Sequence, residues 1–197
     1  MIVLNTTTNY SIYVFSKNNC LFIKDSFGDI KKVSNSIYLY SSIIDVFDVI
    51  HICYIDLKGC LNYCTYEKNN INFISTFKLN SYVKKINKLS MYIVNNSLNI
   101  FFARYKSHNL YNIHHINYDF YNYKFLEYQF EDVRKVNNSI YTINISNNYI
   151  VCSYSNIIKS NNFKSMAFDL VNKCWANFST VKSSTVLFDY CNSIRYE

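Results

Sequence analysis

The sequence predicts an all-β chain folded as a β-propeller of four blades, and three observations carry that prediction. Alternating apolar and polar runs recur along the chain, while Ala, the strongest helix former, stands only at positions 103, 167 and 176. The runs repeat at roughly 50 residues, within the range of four-stranded propeller blades. One kind of strand is missing from the first repeat and reappears at the far end. A β-sandwich is the competing architecture.

The first strand of each set is "SIYVFS" (11–16), "IHICYI" (50–55), "NIFFAR" (99–104) and "YIVCSY" (149–154). After a polar connection each is followed by a second: "CLFIKDS" (20–26), "CLNYCTYE" (60–67), "LYNIHHINYD" (110–119) and "FKSMAFDL" (163–170). A third segment follows, as "DIKKV", "INFISTF", "YKFLEYQF" and "CWANFSTV", with Phe73, Phe125 and Trp175 at matching positions. A fourth kind precedes three of the sets: "SIYLYSSI" (36–43), "KLSMYIV" (88–94) and "SIYTINI" (139–145). Its remaining copy is "STVLFDYC" (184–191). The anchors Tyr40, Tyr92, Tyr141 and Phe188 are spaced by 52, 49 and 47 residues.

The expected organisation is therefore one domain over 1–197. Its blades are approximately 36–82, 83–135, 136–182, and 183–197 joined with 8–35, so that the C-terminal strand completes the N-terminal blade. Such closure would protect the ring's unpaired strand edges. The one stretch with a helical look, "EDVRKVNN" (131–138), lacks a sustained apolar stripe.

Turns must be made without proline and with only Gly28 and Gly59. Asparagine tolerates the left-handed backbone region better than most residues. Asn18-Asn19, Asn69-Asn70, Asn95-Asn96, Asn137-Asn138, Asn147-Asn148 and Asn161-Asn162 separate apolar runs and are the expected turns.

Half the residues are hydrophobic and 18% are aromatic, with 20 Tyr and 15 Phe, which excludes a disordered chain. The net charge of +7 comes mostly from scattered lysines, with only Arg104, Arg134 and Arg195. That scatter disfavours nucleic acid, whose binders concentrate basic residues and use more arginine. No stretch approaches the roughly 20 apolar residues of a membrane helix, so no membrane partner is expected. The start "MIVLNTTTNY" has no basic region and a short apolar run, which predicts cytoplasmic synthesis without a signal peptide.

Seven cysteines (20, 53, 60, 64, 152, 174 and 191) cannot all pair internally. In a reducing compartment most are expected to be small core residues, with Cys191 the candidate intermolecular thiol. Cys60 and Cys64 fall on one predicted strand, roughly 13 Å apart, too far to share a zinc ion. His114 and His115 are adjacent on a strand and leave opposite faces, so they cannot jointly chelate an ion. His108 is expected in a solvated loop, and His51 in a separate blade. Each strand histidine is expected to be a repeat position satisfied by a neighbouring blade's backbone. Neither a metal nor a cofactor is expected.

Enzymatic readings find little support. The acids are dispersed, with Asp45, Asp48 and Asp56 in one group and Glu127, Glu131 and Asp132 in another. A glycosidase needs two carboxyls at a defined separation, which sequence spacing does not indicate. A sialidase-type arginine triad would enlist all three arginines, and the Ser-x-Asp-x-Gly-x-Thr-Trp repeat is absent. Two isolated glycines form no phosphate loop.

The phrases "IHICYIDLKGCLNYCTYEKNNINF" and "LNIFFARYKSHNLYNIHHINYDFYNYKF" resemble uncharacterised propeller-like repeat proteins of low-GC, spore-forming Gram-positive bacteria. The residues that carry the resemblance are Ile50–Tyr54, Asn99–Phe102, Leu61, Tyr63, Ile113–His115 and Trp175, within a repeat pattern over roughly residues 10–190. It implies the architecture and a link to spores, and it assigns no catalytic residue.

The expected function is a non-enzymatic structural or protein-interaction module, a component of a spore surface or another assembly, acting through protein partners or self-association. The tyrosine run 117–128 is the candidate surface, with Tyr118, Phe120, Tyr121 and Tyr123 its candidate contacts. The alternative is a lectin-like carbohydrate binder, in which tyrosines stack on sugars and asparagines bond their hydroxyls. A glycosidase-type enzyme is the third reading.

Overall fold

A computed structural model of the chain describes residues 1–79, 82–136, 138–146, 148–156 and 163–178. Its strands form four antiparallel sets of four. β1 (Ile2–Asn5), β2 (Ser11–Lys17), β3 (Cys20–Lys24) and β4 (Ile30–Ser34) make one sheet in chain order. β5 (Leu39–Ile44), β6 (Ile50–Ile55), β7 (Cys60–Glu67) and β8 (Asn70–Lys78) make a second. The third set is β9 (Ile86–Val94), β10 (Ser97–Ser107), β11 (Leu110–Asp119) and β12 (Lys124–Arg134). The fourth is β13 (Tyr141–Ile145), β14 (Tyr149–Asn156), β15 (Phe163–Asp169) and β16 (Cys174–Asn177). Sets three and four join in one eight-stranded sheet where Val133 and Arg134 pair with Asn156 and Ser155.

The strand sets expected from the repeat are all present, with one correction. The first sheet does not lack a strand: Ile2–Asn5 pairs antiparallel with β2. Its apolar run is only Ile2, Val3 and Leu4, too short to stand out as a strand, yet alternation still places Leu4 in the core and leaves Val3 half exposed. Residues 184–191, expected to fill that place, lie outside the described residues. The stretch with a helical look ends β12 at Arg134, with Phe130 and Val133 buried.

The chain divides into two compact units. The first comprises 1–93 with 98–102; the second comprises 94–97 and the described residues from 103 onward. In the first unit the β1–β4 and β5–β8 sheets share one core. Leu4, Val14, Leu21, Ile23 and Val33 meet Ile50, Ile52, Tyr54, Cys64 and Tyr66. Each fully buried aliphatic side chain there contributes about 1.5–3 kcal/mol. Thr7 also bonds Asp48, through its backbone N–H at 2.8 Å and its hydroxyl at 2.6 Å.

Asn18-Asn19 and Asn95-Asn96 are two-residue hairpins with positive φ at both positions, as expected. The expected Asn69-Asn70 turn sits one residue earlier, on Lys68-Asn69, which leaves Asn70 to begin β8. His108-Asn109 makes a fourth hairpin of the same kind. Asn137, Asn147, Asn161 and Asn162 lie outside the described residues.

Ile52 is fully buried and Val3 is half exposed. Ile52→Ala should therefore lower unfolding free energy by about 2–5 kcal/mol, and Val3→Ala by no more than about 0.5 kcal/mol. Chemical denaturation of the two variants beside the parent checks this, and equal losses would contradict the core assignment.

Candidate functional site

Aspartate builds a second, recurring turn. Asp25, Asp45 and Asp56 each accept two backbone N–H groups on Oδ1, from the residues two and four positions on, at 2.8–3.0 Å. The fourth residue of each turn takes positive φ: Gly28 at 100°, Asp48 at 62° and Gly59 at 81°. Both glycines of the chain thus serve one turn type. Asp119 and Asp169 make a version longer by one residue. Their Oδ1 atoms accept N–H groups from Tyr121 and Asn122, and from Val171 and Asn172. The asparagine amides close back on Oδ2. Burial would raise both carboxyl pKa values, but these donors outweigh it and hold them below the usual range.

These rigid turns carry apolar tips into solvent. Phe27, Phe47, Tyr121, Tyr123 and Val171 are each between 75% and 82% exposed. In the first unit Tyr10 lies 5.7 Å from Phe27 between ring centroids. In the second, the Asn96 amide donates to the Tyr121 hydroxyl at 2.6 Å.

The expected tyrosine surface divides at this turn. β11 ends at Asp119 and β12 starts at Lys124, so Phe120, Tyr121, Asn122 and Tyr123 form the tip. Tyr118, expected as a contact, is only 5% exposed and stacks on Phe125 at 4.2 Å, with Phe120 edge-on at 5.5 Å. It is a core residue, because its neighbours on that sheet face are aromatic. Tyr121 and Tyr123 are the exposed pair. Cys191 lies outside the described residues; within them Cys174 is the exposed thiol.

The strand histidines each have their own side-chain partners. His51 on β6 bonds the Tyr63 hydroxyl through Nδ1 at 2.7 Å and Asp45 through Nε2 at 3.1 Å. His114 faces Glu127 at 3.1 Å, and His108 is exposed on its hairpin. Each of these partners is a side chain of the same sheet or of its turn. His115 is fully buried, with Trp175, Phe168 and Tyr128 around it at centroid distances of 4.7–5.5 Å. Trp175 Nε1–H donates to His115 Nδ1 at 3.2 Å, which places the neutral ring's proton on Nε2.

Among the described residues no group of three His, Cys, Asp or Glu side chains could hold a metal ion. Cys53, Cys64 and Cys152 are buried, and burial pushes the Cys64 thiol up to about 12, leaving it unreactive. Arg134 is exposed at the end of β12, and Arg195 lies outside the described residues.

Burial, helped by Lys173, depresses the His115 pKa to about 3. The unfolded chain therefore binds this proton first as acid is added. The stability contributed by the neutral ring is complete above about pH 6.5 and is lost as pH falls toward 3, by up to about 5 kcal/mol. His115→Gln should lower stability at pH 7 and flatten the decline between pH 6.5 and 4, read by denaturant midpoints across that range. An unchanged slope would contradict the buried neutral imidazole.

No family model matches the chain, nor does any curated protein. Solved structures do. A subtype N11 neuraminidase-like protein of A/flat-faced bat/Peru/033/2010 (H18N11) matches 88% of this chain and 50% of its own, with TM-score 0.56 and 10% identity. A subtype N10 neuraminidase-like protein of A/little yellow-shouldered bat/Guatemala/060/2010 matches 88% of this chain and 55% of its own, with the same score and identity. The chain spans about half the length of these proteins. At such identity the likeness is one of fold, and with four sets of four antiparallel strands it makes this chain a β-propeller.

Proposed function

We propose that this propeller is a non-enzymatic protein-interaction module that meets its partners through the side chains at its aspartate turns. The carrying observation is the display of Phe27, Phe47, Tyr121 and Tyr123 on turns held by their own carboxylates. Large aromatic side chains on a fixed backbone lose little entropy on docking and form the anchors of protein interfaces. The acids support the same reading. Asp25, Asp45, Asp56, Asp119 and Asp169 are engaged in turns, Asp48 holds Thr7, and Asp132 pairs with Lys106 at 2.8 Å.

One observation favours a second reading, in which the module binds carbohydrate. Tyr121 offers an exposed ring beside the Asn96 amide, so that a flat aromatic face and an amide able to bond hydroxyls lie together. Membership of a spore surface layer belongs to this proposal as well, and it rests on the repeat resemblance alone. In such a layer the exposed thiol of Cys174 would meet oxidising conditions once the mother cell lyses.

The test is a photo-crosslinking phenylalanine analogue placed at Phe27, Phe47 or Tyr121 and activated in the native host. A discrete protein adduct should form from these positions and not from Lys58, the tip of the Asp56 turn. A glycan array run beside it should stay blank. Binding to one glycan class, lost in Tyr121→Ala, would instead establish the carbohydrate reading.

A further inference from the structure

We infer that the outer edge of β8 is a self-association surface, which pairs antiparallel with β8 of a second copy of this chain. The inference rests on the interaction-module reading and names a partner and a surface for it. β8 ends its sheet, with no further strand beside it among the described residues. An unpaired edge presents a row of backbone donors and acceptors to any extended chain, and native proteins usually guard it.

The guarding is uneven in this fold. β4 is five residues long and carries Lys31 and Lys32. β16 has only four residues. β12 carries Lys124, Glu127, Glu131, Asp132 and Arg134, and its end is paired with β14. β8 runs nine residues, "NINFISTFK", with no charge before Lys78. Its one device is a bulge, where Phe73 pairs with Cys64 and Ser75 with Tyr63, leaving Ile74 between them. The bulge twists the edge without placing a charge on it.

The centre of this edge is also apolar. Phe73 and Ile74 are 63% and 45% exposed. At the position matching Phe73 in the repeat, Phe125 is covered by Tyr118, and Trp175 by His115 and Phe130. Phe73 alone of these three is left largely in water.

Charge selects the occupant. The chain carries +7, so most of its surface repels a copy of itself. Residues 70–77 are neutral, and pairing there meets no local like-charge penalty. Antiparallel pairing about Ile74 brings Lys78 over the start of the second copy's β8. There it meets Glu67 at the end of that copy's β7, a half-exposed carboxylate that Lys68 of its own chain also pairs at 3.1 Å. Two-fold symmetry repeats the contact at the other end, giving a closed dimer.

Sedimentation equilibrium from micromolar to millimolar protein should show mass rising toward twice that of the monomer. Hydrogen exchange at residues 70–76 should slow as concentration rises. Ile74→Lys should weaken association by at least about tenfold, by opposing like charges across the axis, with thermal stability of the monomer unchanged. Lys78→Glu should weaken it too, and Glu67→Lys added to Lys78→Glu should restore it. A monomer at every concentration, with exchange in β8 independent of concentration, overturns the proposal. A dimer indifferent to both Ile74→Lys and Phe73→Lys overturns it as well, and leaves the module reading intact. Loss of the photo-crosslinked adducts while the β8 dimer persists removes the module reading and leaves this surface standing.

Discussion

A chain with no proline and two glycines must still reverse direction after nearly every strand, and the side-chain carboxylate of aspartate makes that possible. In each aspartate turn one oxygen satisfies two backbone N–H groups that hairpin pairing would leave without partners. The backbone then needs a single residue of positive φ, filled by glycine twice and by Asp48, Tyr123 and Lys173 elsewhere. Asparagine and its neighbours supply the two-residue hairpins in the same way. With the turns fixed locally, the strands between them acquire one register. Each sheet then acquires one apolar face that must find cover.

The same device bears on function. At Asp119 and Asp169 the donors hold the carboxyl pKa below the usual range, which suits structure and poorly suits proton transfer at neutral pH. The turn the carboxylate builds projects its middle residues away from the sheet, and at Asp25, Asp45 and Asp119 these include Phe27, Phe47 and Tyr121. Rigid support beneath an exposed aromatic ring is the arrangement from which interfaces draw their anchors.

Much of the architecture was legible in the sequence because strands have a side-chain period of two, and because four copies of one pattern reinforce each other. β6, β7, β10, β11, β14 and β15 fall where their runs predicted. β1 does not stand out in the sequence, because a strand of four residues offers only two alternations. The aspartate turns were present as Asp-x-x-Gly in "DSFG" and "DLKG" and as Asp-x-x-Asn in "DFYN" and "DLVN". Paired asparagines do not mark these turns, because a side-chain carboxylate and not a left-handed pair makes them.

Sequence alone determined which residues share a face, because alternation sets parity. It could not determine which face would be covered, since cover comes from another sheet. Tyr118 and Tyr121 lie three residues apart in one tyrosine run, yet one packs beneath Phe125 and the other stands in solvent. His114 and His115 diverge as parity requires, but only packing decided that Glu127 faces the first and Trp175 the second. Phe73 and Trp175 occupy the same place in the repeat, and the tertiary structure alone packed one ring, half-buried, against others while leaving the other exposed. Burial depends on the complementary surface a neighbour supplies, and that surface is assembled from residues far away in the chain.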